Sequence, residues 1–178
     1  FDDDTGLWRT DFGAAATQIT HDPSFDRDGD PGSGSMKVDM GFSGATGAIN
    51  TAITIDLFPG VDTTAFTHFE ASIYVDPTSV QDAFGNYGFQ KFALRDGDFY
   101  DFCGEPGSNL GPAGEWIDIS IPVGAFGGPV TDMRAVTWEL YGGPDQNLNG
   151  RVTIWMDNVR LVPSPAGATL FGLCGLSA

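Results

Sequence analysis

At 178 residues the chain is long enough for one domain with a full hydrophobic core, and 25 Gly, 11 Pro and 12% aromatic residues point to many short strands and turns. Eight Lys and Arg against 24 Asp and Glu leave a net charge of -16. Such a surface repels nucleic acid and anionic membrane, and leaves cations, polysaccharide or other copies of the chain as partners. No apolar run reaches the roughly 20 residues that span a bilayer, and the start at Phe1 is expected to be that of a mature, processed form.

In chain order, a turn at Thr5-Gly6-Leu7-Trp8 leads into a first strand-like segment, and a short strand is expected over Thr17 to His21. The acidic loop Asp26-Arg27-Asp28-Gly29-Asp30-Pro31-Gly32 follows. Its acids alternate, but Pro31 at the sixth position and Lys37 at the closing one exclude an EF-hand. Met36, Val38 and Met40 give the next strand one apolar face, and Ile53, Ile55 and Leu57 repeat the pattern until Pro59-Gly60, which is expected to break it. Over His68 to Asp76, Phe69, Ala71, Ile73 and Val75 face one way while His68, Glu70, Ser72, Tyr74 and Asp76 face the other. Phe89 to Asp96 sends Phe92 and Leu94 to the core and Phe89, Lys91 and Arg95 outward; Ile117, Ile119 and Ile121 form an inner face that Pro122 ends. Arg134 to Leu161 reads as a hairpin, with Val136, Trp138 and Leu140 alternating against Thr137, Glu139 and Tyr141. No segment is helical over three turns. The fold class is therefore all-β, a two-sheet antiparallel β-sandwich of jelly-roll type over residues 1–162, followed by an apolar C-terminal extension at 163–178.

Within the expected hairpin loop, Asp145, Asn147, Asn149 and Gly150 have the spacing D-x-N-x-N-G, which offers oxygens at alternate residues and a glycine for a bend, as a loop around a calcium ion does. The same residue types also make ordinary solvated turns. Asp157 sits among apolar residues and needs a hydrogen-bond donor or a metal. Glu70, Tyr74, Tyr87, Lys91, Arg95, Glu139 and Tyr141 are expected on neighbouring strands of one outward face, where rings beside charged groups make a sugar-binding surface. Trp138 and Trp116 read as core or edge packing, and a bulge near Asp157 would decide the face of Trp155. His21 and His68 stand in different segments without a serine or cysteine motif of an activated nucleophile, so no enzyme is expected. Cys103 and Cys174 either form one disulfide, or leave Cys174 to pair between chains, or remain separate thiols.

Phe1-Asp2-Asp3, Gly34-Ser35-Met36-Lys37-Val38, Gly114-Glu115-Trp116 and Asp157-Asn158-Val159-Arg160-Leu161 together resemble the jelly-roll carbohydrate-binding modules of galactose-binding-like fold. That resemblance implies a structural calcium ion held by Asp2 or Asp3 with Asp157, away from the sugar. Val162-Pro163-Ser164-Pro165-Ala166 with Thr169-Leu170-Phe171-Gly172-Leu173 resembles the start of a PEP-CTERM sorting signal, although Ser164 stands in place of the usual glutamate and the basic cluster is missing. It implies export to the surface or extracellular matrix of a Gram-negative bacterium. The uncharged tail is expected to bury Leu170, Phe171 and Leu173 by adding to a sheet edge of its own or a neighbouring subunit, and, repeated head to tail, to build filaments. The main expectation is a self-associating structural protein, with a calcium-stabilised glycan-binding module as the alternative.

Overall fold

The structure, a computed structural model, describes residues 7–13, 15–30, 33–44, 49–97, 101–127, 130–142 and 147–165. Among these the strands are β1 (Arg9–Gly13), β2 (Ala16–Asp22), β3 (Ser35–Ser43), β4 (Asn50–Val61), β5 (Phe66–Val75), β6 (Phe89–Asp96), β7 (Asp101–Gly104), β8 (Ser108–Asn109), β9 (Trp116–Pro122), β10 (Met133–Tyr141) and β11 (Asn149–Pro163). They form two sheets, a first in the order β1-β4-β10-β6-β7 with β8 beside β6, and a second in the order β2-β3-β11-β5-β9. Every pairing is antiparallel. The all-β sandwich expected from alternation is the fold observed.

Alternation settles which side chains meet between the sheets. Phe69, Ala71, Ile73 and Val75 of β5 and Met36, Val38 and Met40 of β3 are buried from the second sheet, as are Ile53, Phe92, Leu94, Trp138 and Leu140 from the first. Phe69 and Phe92 meet across the layers with ring centroids 4.8 Å apart. Trp138 lies opposite both Ile53 and Phe92. Its indole N–H donates to Gln90 Oε1 at 2.9 Å, so this large buried ring leaves no unpaired donor.

The expected hairpin is not formed. β10 is central in the first sheet, between β4 and β6, while β11 is central in the second, between β3 and β5. The two strands face each other across the core. The cause is Leu148, an apolar residue at the end of a polar loop, which is fully buried. Its N–H donates to Gly142 O at 2.5 Å and its carbonyl accepts from Gly44 N–H at 2.7 Å, so the chain changes layer there.

β4 also continues past its expected end. The register moves from Ala135↔Asp56 to Met133↔Val61, so residues 57–60 bow out opposite Arg134 alone. Pro59 falls inside this bulge, where its missing N–H interrupts no ladder. A second bulge lies in β11, between Asp157↔Ser72 and Arg160↔Glu70, with Asn158 at φ 53. Apolar positions are Val152, Ile154 and Met156 before it and Val159 and Leu161 after it. One extra residue is what keeps both sets facing inward. Trp155 precedes the bulge and points away from the core.

After Pro163, Ser164 N–H donates to Ala65 O at 2.8 Å. Leu170, Phe171, Leu173 and Cys174 lie outside the described residues, and Cys103 is on β7. No helix of the described residues is long and apolar enough to cross a membrane.

Candidate functional site

The seven residues expected on one outward face divide between the two sheets. Glu70 and Tyr74 belong to β5 of the second sheet; Lys91 and Arg95 belong to β6 and Glu139 and Tyr141 to β10 of the first. Tyr87 precedes β6 and packs against the core margin. Alternation tells which residues of a strand point outward, but in a sandwich the two outward faces look in opposite directions.

On the outward face of the first sheet the central positions are small: Ala52 and Thr54 of β4, Ala135 and Thr137 of β10, and Ala93 of β6, all without exposure. Thr54 Oγ1 donates to Val136 O at 3.0 Å and accepts from Thr137 Oγ1 at 2.5 Å, which satisfies these hydroxyls within the sheet. Long charged side chains stand around this floor. Glu139, with a side chain only 2% exposed, lies 3.2 Å from Lys91 Nζ and accepts from the Tyr141 hydroxyl at 2.5 Å. Arg95 pairs with Asp11, and Arg9 forks onto both oxygens of Asp56 at 2.9 and 3.0 Å. Phe12, 41% exposed, has Arg95 Cζ 5.9 Å from its ring centre. Lys91 Nζ lies 5.5 Å from the Tyr141 ring centre. Burial, together with the hydrogen bond to Glu139, raises the Tyr141 phenol well above its ordinary value and keeps it a neutral donor.

Exposed ion pairs contribute about 0–1 kcal/mol each, and buried ones roughly break even against apolar replacements. Stability alone therefore does not account for three of them on one face. What they supply is a fixed pattern of donors and acceptors above a flat floor, flanked by two rings. Arg9, Asp11, Phe12 and Asp56 are the members that sequence reading missed. Their signal was the outward alternation of Arg9 and Asp11 in a strand too short to stand out.

The outward face of the second sheet is arranged differently. Trp155, Tyr74 and Trp116 lie side by side on β11, β5 and β9. Phe25, from the loop after β2, covers all three, with centroids 4.7 Å from Trp155, 4.8 Å from Tyr74 and 5.5 Å from Trp116. Tyr74 is thus occupied by the chain itself. Trp155 Nε1–H donates to Asp22 Oδ2 at 2.9 Å, and Lys37 Nζ stands 5.3 Å from the Trp155 ring.

Asp157, 5% exposed, holds the same loop from beneath. It accepts from Arg27 N–H at 3.0 Å and Asn158 N–H at 2.7 Å, so its partners within the described residues are backbone donors. Asp26 accepts the N–H groups of Asp28 and Asp30, both at 2.8 Å. No group of three or more His, Cys, Asp or Glu side chains among the described residues is arranged to hold a metal ion. Asp2, Asp3 and Asp145 lie outside those residues. Asn149 and Gly150 already pair with Ser43 and Phe42 in β11, so the last two positions of the D-x-N-x-N-G motif begin a strand; Asn147 precedes them at φ 50.

Three carboxylates of this loop and its anchor lie below the usual carboxylate range. For Asp22 burial acts upward and is outweighed by hydrogen bonds from Ser24 and Trp155. For Asp26 burial is outweighed by backbone donors, first that of Asp30. Asp118 is lowered by hydrogen bonds from Arg27 and Ser72. A lowered folded value means that the stabilisation is complete above the unfolded value and is lost as pH falls through the folded one. The loop is therefore expected to loosen below about pH 4, with a red shift of tryptophan emission before global unfolding. Coincident emission and far-ultraviolet transitions would contradict this.

No protein-family model and no curated protein matches the sequence. Solved structures do match the fold. A carbohydrate-binding module from a study of promiscuous specificity in the β-sandwich superfamily is 12% identical with a TM-score of 0.64, covering 88% of this chain and 57% of its own. The family 11 module of Clostridium thermocellum in complex with a β-1,3-1,4-mixed-linked tetrasaccharide is 14% identical with a TM-score of 0.58, covering 92% and 94%. An exo-β-agarase is 11% identical with a TM-score of 0.58, and the chain spans 24% of its length. The chain thus has the β-sandwich fold of the carbohydrate-binding modules.

Proposed function

We propose that the chain is an exported, non-catalytic module that binds polysaccharide on the outward face of the first sheet. The observation that carries this reading is the small-residue floor of β4, β10 and β6, with Glu139, Lys91, Tyr141, Arg95, Asp11 and Phe12 standing over it. Sugar hydroxyls both donate and accept, so a surface of prearranged carboxylates and cations can exchange hydrogen bonds with them, while Phe12 and Tyr141 cover apolar ring faces. The net charge of -16 favours an uncharged polymer over a polyanion. Retention on immobilised β-glucans, mannan and agarose tests the reading, with Tyr141→Ala and Phe12→Ala each expected to weaken binding about tenfold, or about 1.4 kcal/mol.

Self-association through residues 163–178 has no support among the described residues, which end at Pro165. Calcium enters the proposal as a structural ion for which Asp157 and an N-terminal acid, Asp2 or Asp3, would supply oxygens. Removing it with a chelator is expected to lower the melting temperature. An unchanged melt after verified metal removal would eliminate the ion from the account.

A further inference from the structure

On the opposite side of the sandwich, the outward face of the second sheet carries a polar hollow of about 340 Å³. Its origin is the β11 bulge, which sets two residues against Ala71 of β5 and turns Asn158 outward at φ 53. Two ion pairs form its walls. Arg27 forks onto Asp118, Nε to Oδ1 at 3.2 Å and Nη2 to Oδ2 at 2.9 Å. Arg160 places Nε and Nη2 on Glu70 Oε2 at 2.9 and 2.8 Å. Because Asp118 registers with Ser72 and Ser120 with Glu70, the pairs lie two residues apart along β5, roughly 7 Å. Ser72 beside Asp118, its hydroxyl donating to Asp118 Oδ1 at 2.8 Å, and Ser120 beside Glu70 also line the hollow, and Asn158 Nδ2 donates to Asp28 Oδ2 at 3.3 Å.

Each wall thus sets a carboxylate acceptor beside a guanidinium donor. Glu70 takes both its bonds on Oε2, leaving Oε1 without a partner among the described residues. A hydroxyl needs one donor and one acceptor, and neighbouring hydroxyls of a sugar ring present such pairs in a fixed geometry. Three carboxylates, Asp28, Glu70 and Asp118, against two guanidiniums, Arg27 and Arg160, make the hollow unfavourable for anions. No aromatic ring lines it, so recognition would come from hydroxyls and not from stacking. We propose that this hollow is a second carbohydrate subsite, which takes the vicinal hydroxyls of one neutral hexose unit. Asp118, lowered by hydrogen bonds from Arg27 and Ser72, keeps its acceptor role into acid pH.

The test is a titration of the intact chain with methyl α-mannopyranoside, followed by backbone amide shifts, with tetrahydropyran as the same ring without hydroxyls. Saturable shifts at Ser72, Asp118, Ser120 and Asn158 are expected with the glycoside and not with the ether. Glu70→Gln and Ser120→Ala should each raise the apparent Kd at least about fivefold. Absence of these shifts, equal shifts with the ether, or an affinity unchanged in both variants would reduce the hollow to an ion-pair network. Shifts confined to Lys91, Glu139 and Tyr141 would overturn the second subsite and leave the first-sheet reading standing; shifts at neither face would count against both for this sugar.

Discussion

Glu139→Ala is expected to destabilise the chain by about 3 kcal/mol and to abolish retention on polysaccharide. The side chain is almost fully buried yet points away from the core, and a single oxygen serves both Lys91 Nζ and the Tyr141 hydroxyl. Taking away one partner of a buried charged pair costs far more than the pair contributes, because the remaining groups lose their compensation. Glu139→Gln keeps the acceptor for Tyr141 but loses the charge, and should cost about 1 kcal/mol. The two variants thus separate the Lys91 interaction from the Tyr141 interaction. Denaturant melts of both provide the measurement, and equal stability of Glu139→Ala and the parent would show that this face is not a prearranged network.

Asp157→Ala should cost about 2–3 kcal/mol and release the loop after β2. Its carboxylate accepts two backbone N–H groups, those of Arg27 and Asn158, in a buried position that offers no substitute. Once Arg27 N–H loses its acceptor, the loop is held by the Arg27 side chain on Asp118 and by Phe25 on Trp155, Tyr74 and Trp116. Phe25 should then lift, so that tryptophan emission shifts red and acrylamide quenching increases in the still-folded variant. Asp157→Asn retains one acceptor oxygen and should fall between. A parent-like melt and emission in Asp157→Ala would mean that the Arg27–Asp118 pair and the aromatic packing of Phe25 hold the loop without Asp157.

Much of the fold was legible because it depends on period-two burial. Phe69, Ala71, Ile73 and Val75, or Met36, Val38 and Met40, have one solution as strands with an apolar inner face. Sheet membership was not legible from alternation, since β10 and β11 each alternate well and a Gly/Pro/Asp/Asn loop suits a hairpin or a crossing equally. Leu148 was the available signal, an apolar residue where a solvated turn would place a polar one. The phase change between Met156 and Val159 likewise announced the bulge that leaves Trp155 facing outward. For the candidate site, Lys91, Arg95, Glu139 and Tyr141 were correctly placed on one face, while Glu70 and Tyr74 were joined to them because outward parity is the same on both sheets. That Phe25 covers Tyr74 depends on a loop folding back across three strands, a long-range contact with no local signature. The carbohydrate-binding-module likeness seen in scattered short motifs agrees with the observed fold, shared with carbohydrate-binding modules that are only 12% and 14% identical to the chain.

The most direct measurement is the binding of the intact chain to a panel of neutral polysaccharides by affinity electrophoresis, run beside Tyr141→Ala, Phe12→Ala and a Tyr74→Ala control on the covered face. Retardation of the parent and of Tyr74→Ala by at least one polymer, weakened about tenfold in the two first-sheet variants, is the predicted result. Retardation by no polymer, or one that Tyr141→Ala and Phe12→Ala leave unchanged, would contradict the assignment of polysaccharide binding to the outward face of the first sheet.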